Sequence, residues 1–251
     1  MIRNIVGRDI RQRYAGSVMG LFWSIIHPLT QLLIYYFIFS VIFKMKLGPE
    51  YGGANYAIWL ISGLLPWFLF SEIVTRSPMA VVEQSDLLKK MAFPSEILPV
   101  VQFSAAVINH LIGIAILFGF LIVLGYGISL NILWLPLYLL IIGILGLGIA
   151  WLLAALNVFL RDIAHVIGVF VNIMFFLTPI VYSYTLIPDK VRGIMGLNPM
   201  LHAIEGYRMA LIGTDGIDLY GLLYMFLIAL FLFVFGGMTF RKLKPSFVDV
   251  L

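Results

Sequence analysis

Six stretches of this chain run for about 20 residues or more with at most one charge in each: roughly 21–43, 56–75, 100–124, 132–156, 164–184 and 219–240. About 20 apolar residues in a helix cross the ~30 Å hydrocarbon core of a bilayer. The remaining sequence supplies short connections and leaves no room for a soluble domain. Composition agrees: 62% of the 251 residues are hydrophobic and 11% are charged, against about 45–50% and about 25% in soluble domains. The expected fold is therefore an all-α integral membrane protein, a single domain over 1–251 with six transmembrane helices. Pro28 is expected to interrupt the first span and Pro179 to fall near the end of the fifth.

The first apolar run is too long for the ~7–15-residue core of a cleavable signal, and no small-residue cleavage site follows it; it reads as a retained span. Before it, Arg3, Arg8, Arg11 and Arg13 alternate with Ile2, Ile5, Val6 and Ile10. That spacing predicts an amphipathic helix over 1–20, lying at the interface with its arginines toward anionic lipid, in preference to a solvated basic tail. With this end in the cytoplasm, Arg3, Arg8, Arg11, Arg13, Arg76, Lys89, Lys90, Arg161, Arg241, Lys242 and Lys244 fall inside. Only Lys44, Lys46, Lys190, Arg192 and Arg208 fall outside. The excess of inside positive charge, and the even number of spans, put both termini in the cytoplasm.

Three connections carry structure of their own. In 76–99, Ser77-Pro78 reads as a cap plus first-turn proline. Asp86 is placed to pair with Lys89 and Lys90, and Phe93-Pro94 ends the helix. An amphipathic cytoplasmic helix is expected there, either docking a partner or lying on the membrane as a plain connector. The short turn Asn157–His165 holds the adjacent pair Arg161-Asp162, which alone says little. The outer stretch is long but apolar. Asn198-Pro199 reads as a cap and Gly213 as a stop, enclosing a helix of about 14 residues. That is too short to span, so it is expected to be interfacial or re-entrant, the latter only if buried in protein. Glu205 and Arg208, three apart, are expected to neutralise each other.

Chemistry of other kinds is missing from the sequence. There are no cysteines, and no G-x-x-x-x-G-K-[ST] loop or H-E-x-x-H motif. His27, His110, His165 and His202 are scattered and read as structural. Glu72 is the one acid within a span, with Arg76 four residues on as a helix-end partner. With no relay of buried ionisable groups and no filter sequence, the chain is expected to borrow any driving energy from another polypeptide.

The order and spacing of several motifs resemble the membrane subunits of ABC type 2 polysaccharide exporters, most of all those that export O-antigen, and also those for capsule and teichoic acid. These motifs are Arg8-Asp9-Ile10-Arg11-Gln12-Arg13-Tyr14, Gly20-Leu21-Phe22-Trp23 with Pro28-Leu29, Leu87-Leu88-Lys89-Lys90 with Phe93-Pro94 and Pro99, Phe159-Leu160-Arg161-Asp162-Ile163, Thr178-Pro179-Ile180 with Pro188, Asn198-Pro199 with Tyr207-Arg208, and Phe240-Arg241-Lys242-Leu243 with Pro245. The resemblance covers nearly the whole chain. It implies a homodimer in the bacterial inner membrane, working with two copies of a P-loop ATPase that binds ATP and Mg. This chain itself would hold no cofactor and bind no nucleic acid. It implies a polyprenyl-pyrophosphate-linked polysaccharide as cargo. Asp86, Leu87, Leu88, Lys89, Lys90, Met91 and Phe93 would form the coupling helix, and Arg8, Arg11 and Arg13 would sit at the same interface. Asn198, Pro199, Glu205 and Arg208 would belong to short periplasmic gate helices within 188–213.

On that footing, Gln31, Tyr35, Phe39, Trp59 and Trp67 are candidates for a glycan path, aromatic faces with polar handles being suited to weak binding. The same residues also fit lipid-facing or interface packing. Arg8, Arg11, Arg13 and Lys89 or Lys90 stand on the side where a pyrophosphate would arrive, and equally serve topology. Two rival classes stay open: a type 2 permease for a drug or lipid, and a membrane enzyme acting on polyprenyl lipids. The enzyme would need clustered acids or histidines at a membrane face, which the sequence lacks.

Overall fold

The computed structural model describes residues 6–7, 19–47, 55–90, 93–123, 125–127, 129–213 and 216–251. The expected N-terminal helix with Arg8, Arg11 and Arg13, and residue Met91, lie outside these. Among the described residues all regular structure is helical. The elements are α1 (Trp23–Tyr36, continued by a π-helical turn Phe37–Ile42), α2 (Tyr56–Arg76), α3 (Met79–Val82), α4 (Ser85–Lys90), α5 (Ile97–Val123), α6 (Leu135–Phe159), α7 (Ile163–Leu177), α8 (Asp189–Met195), α9 (Pro199–Ile212), α10 (Leu219–Leu243) and α11 (Phe247–Val250).

Five segments are long and apolar enough to cross a membrane: Ile25–Ile42, Tyr56–Arg76, Ile97–Val123, Leu130–Phe159 and Leu219–Val250. The chain is a multi-pass membrane protein. The stretch expected as a fifth span over 164–184 is helical only over Ile163–Leu177, about 22 Å at 1.5 Å per residue. Thr178-Pro179 stops it, because a residue before proline is pushed out of the helical region, and Thr178 takes φ −99, ψ 133. Pro28 has less effect than expected, since α1 runs through it.

Other boundaries have local causes. The Asn55 side chain accepts from Ala57 N–H at 2.8 Å and starts α2. Ser129 accepts from Asn131 N–H and starts the 3-10 turn leading into α6. Asp218 accepts from Gly221 N–H at 2.9 Å and starts α10, which closes with Arg241 and Lys242 in its last turn, a favourable charge for a helix C-terminus. Ser77 is not the cap expected of it. It sits in the helical region as α2 ends, and its hydroxyl donates back to the Val74 carbonyl. The chain therefore passes from α2 into α3 through a turn, without a fresh capped start.

Packing follows from which helices are apolar all round. Helix α2 is the interior one, with 78% of its span window buried, as a helix without a polar face must be. It packs against α5, α6, α7 and α9. By contrast α1 and α10 are mostly uncovered, at 6% and 22%; Leu223, Leu227, Phe231 and Val234 stand out along α10. The most extensive pairing is α6 with α10. Their backbones touch: a Cβ at Gly236 would overlap the Gly148 carbonyl, and one at Gly148 would lie 2.5 Å from the Phe233 nitrogen. Between helices in lipid, such small-residue contacts supply the packing that hydrophobicity cannot. Gly236→Val should therefore force this pair apart, at a cost of about 1–3 kcal/mol or more. It should lower the melting temperature of the detergent-solubilised protein, while Gly119→Ala, at a site with open space in a helix interior, should not lower it.

A second, smaller apolar cluster closes the end of the bundle that carries Lys244. Val81, Leu98, Ala154, Val158, Phe240 and Phe247 form it, with Leu88, Phe93 and Trp151 packed against it.

Candidate functional site

A cavity of about 790 Å³ opens between α1, α2, α5 and α7. Its wall is aromatic on one side. Phe175 of α7 is the centre of the group, with Tyr35 at 5.4 Å and Trp67 edge-on at 5.8 Å. Tyr35 also stacks on Phe39, nearly parallel at 6.3 Å. The other side is polar, contributed by Gln31, Glu72, Arg76, Asn109 and Asn172. The Glu72 carboxylate accepts twice from Asn109 Nδ2, at 2.9 and 3.1 Å, and faces Arg76 at 3.5 Å. The expected Glu72–Arg76 pair thus exists, but the better-made bonds come from α5. An Asn in an apolar run was the only signal for that partner. The carboxylate is thus held at the cavity wall by its own helix and by α5.

His110 also borders this cavity, and its Nε2 lies 2.9 Å from the Tyr207 hydroxyl of α9. Helix α9 is thereby tied to the cavity floor. Ten of its fourteen residues are buried, so the short helix foreseen over 199–212 is enclosed by protein. Its limits are those expected: Asn198 accepts from Met200 N–H at 3.0 Å, and Gly213 takes φ 74. Asn198 Nδ2 donates in addition to Thr178 at 2.8 Å.

Arg208 fixes α9 most firmly. It is 2% exposed. Its Nη1 donates to Glu205 at 2.7 Å and to the Pro179 carbonyl at 2.9 Å; Nη2 donates to the Ile180 carbonyl at 2.7 Å. The guanidinium carbon lies 3.5 Å from the centroid of a Trp59 ring. The carbonyls of Pro179 and Ile180 follow the stop of α7, where no helical N–H can reach them, and Arg208 satisfies them as protein groups must beside apolar helices. This overturns one expectation. Trp59 is not on the cavity; it is fully buried beneath Arg208 because its ring face is the surface on which the cation rests. Gln31, Tyr35 and Trp67 do line the cavity, and Phe39 adjoins it through Tyr35.

At the opposite end, Asn157 is fully buried. Its Nδ2 donates to the Pro78 carbonyl at 2.9 Å, and its Oδ1 accepts from Ala164 N–H at 3.2 Å. One amide thus joins the α2–α3 turn to the α6–α7 turn, a role the sequence signalled only by an Asn beside Arg161-Asp162. Glu96, just before α5, accepts from Lys244 Nζ at 2.6 and 2.7 Å. Trp151 Nε1 donates to the Glu96 carbonyl at 3.1 Å. Asp86 and Lys89 of α4 are exposed, while Leu88 and Phe93 turn toward the Phe247 cluster. Nothing is described of the side chains of Leu87 and Lys90.

Comparison with known proteins decides the family. Residues 2–212 match the ABC-2 type transporter family. This chain belongs to it. An O-antigen export system permease protein of Klebsiella pneumoniae is 31% identical over 249 residues, covering 98% of this chain and 93% of the relative. A protein of the same name from Myxococcus xanthus is 30% identical over 214 residues, 83% and 78% of the two chains. A polysialic acid transport protein of Escherichia coli is 25% identical over 233 residues, 90% and 87%. In this ABC-2 family member the matched region spans the cavity, the Asn157 tie and α9, and ends at Ile212, before α10.

Removing Arg208 should be severe. Arg208→Met leaves two buried carbonyls and Glu205 without their donor, costing about 2–5 kcal/mol. Arg208→Lys keeps the charge but lacks the planar fork that reaches both carbonyls at once, so it should recover only part of the loss. Heat-challenge gel filtration in detergent measures both. Glu96 yields a pH prediction. Burial alone would raise its carboxyl, but the Lys244 hydrogen bond, its own backbone and the charges of Lys244 and Arg241 outweigh this and hold it below 4.5. Its folded value is depressed, so its stabilisation is complete above the unfolded carboxylate value and is lost as pH falls through the folded one. Glu96→Gln should therefore melt lower than the parent at pH 7, and the gap should close on acidification below about pH 4.

Proposed function

We propose that this chain is the membrane-spanning permease subunit of a bacterial polysaccharide exporter of O-antigen type, moving a lipid-linked glycan out of the cytoplasm. The observation that carries this reading is the near-full-length likeness to proteins named as O-antigen export permeases. The cavity chemistry supports it. Sugar rings present C–H faces that stack on Tyr35, Trp67 and Phe175, and hydroxyls that pair with Gln31, Asn109, Asn172 and Glu72. Such a wall holds a glycan segment by many weak contacts and lets it move on.

In this proposal the Lys244 end faces the cytoplasm of a cell whose inner membrane holds the protein, since Arg76, Lys89, Arg161, Arg241, Lys242 and Lys244 gather there. Both termini are then cytoplasmic. ATP and Mg bind a separate P-loop ATPase, two copies of which serve a homodimer of this chain. Helix α4 is the coupling element: Asp86 and Lys89 face outward for the ATPase, and Leu88 and Phe93 rest on the cluster around Phe247. A push on α4 is passed through that cluster, and through Asn157, to the α6–α7 turn. Helix α9, at the other end, is the gate.

Two experiments test this reading. The double variant Tyr35→Leu/Trp67→Leu should cut export of surface polysaccharide in a complemented strain by roughly tenfold or more, the loss of two aromatic contacts. Its co-purification with the ATPase should be normal. Replacing residues 87–91 with a glycine–serine linker should do the reverse and abolish co-purification. Undiminished export from the first variant, or a cargo that is a drug or a lipid without sugar, would overturn the reading.

A further inference from the structure

A second cavity, of about 340 Å³, lies at the α9 end, lined among others by Tyr138, Tyr184, His202, Glu205, Arg208 and Asp218. It is separate from the aromatic cavity, with which it shares no lining residue. Its polar groups are arranged for a guest.

Tyr138 of α6 is 2% exposed. Its ring lies against Gly206, where any Cβ would overlap it. Yet its hydroxyl makes no hydrogen bond among the described residues, nor is its oxygen sealed within protein. A phenol so deeply placed ordinarily finds a partner. Here the cavity is where the partner would sit.

Two open acceptors complete the set. His202 Nε2 lies 3.0 Å from the Gly196 carbonyl and its Nδ1 faces Asp218 Oδ2 at 3.7 Å. Asp218 Oδ1 is engaged with Gly221 N–H, and its Oδ2 makes no hydrogen bond among the described residues. Glu205 gives Oε1 to Arg208, and its Oε2 makes no hydrogen bond among the described residues. One donor and two carboxylate acceptors around a small space suit a molecule carrying several hydroxyls, each of which both donates and accepts.

Charge narrows the class. Both open acceptors are carboxylate oxygens, of Glu205 and Asp218, and like charge repels an acidic sugar from them. Nor is it a metal site, since no three His, Asp or Glu among the described residues stand close enough to share an ion. We propose that this cavity is a saccharide subsite at the exit, selective for a neutral hexose unit of the exported chain. This deepens the polysaccharide reading and rests on it. Occupancy here would hold the emerging glycan against α9, whose Glu205 and Arg208 both line the cavity.

The chain has no cysteine, so single reporters can be placed cleanly. Gly216 lines this cavity and has open space where a side chain would go; Ser71 lines the aromatic cavity. The full chain with Gly216→Cys, and separately with Ser71→Cys, is labelled in detergent with a charged maleimide. Labelling is followed with and without mannotriose, and with trigalacturonate as the acidic comparator. Mannotriose should slow labelling at Gly216→Cys, and trigalacturonate at the same concentration should not. Adding Tyr138→Phe, which removes one unpartnered oxygen and keeps the ring, should leave the sugar-free labelling rate unchanged. It should raise the half-protecting mannotriose concentration roughly 3- to 10-fold, the worth of one hydrogen bond. Protection at Ser71→Cys but not at Gly216→Cys would overturn this inference alone. So would equal protection by trigalacturonate, or indifference to Tyr138→Phe. Protection at neither reporter would overturn the polysaccharide reading with it.

Discussion

A guanidinium buried among apolar helices is costly unless nearly every donor is used. Arg208 offsets much of that cost through three separate elements. Glu205, one turn earlier on its own helix, balances its charge; the carbonyls of Pro179 and Ile180 take its N–H groups; Trp59 of α2 lies under its face. Gly63 makes the arrangement possible, because a Cβ there would come within 2.7 Å of Nη2. Each partner needs the others. Without Arg208 the stop of α7 would leave bare carbonyls; without that stop Arg208 would have no acceptors; and without the glycine there would be no space. The short helix α9 and the broken end of α7 are thus one structural unit; α7 helps line one cavity and α9 the other.

The opposite end is organised by several separate contacts. Asn157 joins two turns with one amide, Lys244 joins the C-terminal segment to the start of α5, and the Phe247 cluster fills the space beneath α4. Asn157 and the Phe247 cluster are buried, while Glu96 and Lys244 are partly exposed. The central helix α2 connects the two ends: it touches Arg208 through Trp59 and Gly63 and passes through the Ser77-Pro78 turn to α3.

Much of this was legible in the residues because the signals are local. Apolar runs gave the five long apolar helices and the start, though not the end, of the shorter one over Ile163–Leu177. Asn198-Pro199 and Gly213 bounded α9, since capping and positive φ depend on one or two residues. The i, i+3 and i, i+4 spacings gave Glu205–Arg208 and Glu72–Arg76, which the helix itself brings together. Where local reading failed, a contact from elsewhere had won. Ser77 looked like the start of a fresh helix, but it closes α2, its hydroxyl bonded back to Val74. Trp59 looked like a path-lining aromatic at the same spacing as Trp67, yet a cation 149 positions later in sequence occupies its face.

The sequence by itself determined that the chain is a helical membrane protein and that a capped helix of about 14 residues, too short to span, would end at Gly213. Hydrophobic length and backbone capping are properties of neighbours along the chain, so no fold is needed to read them. Only the tertiary structure decided which polar groups meet: Asn109 with Glu72, Asn157 with Pro78, Glu96 with Lys244, His110 with Tyr207. Those partners come from different helices, and their pairing depends on how far each helix is rotated and offset against the next. That is set by side-chain volume at crossings such as Gly148 and Gly236, a quantity no periodicity encodes.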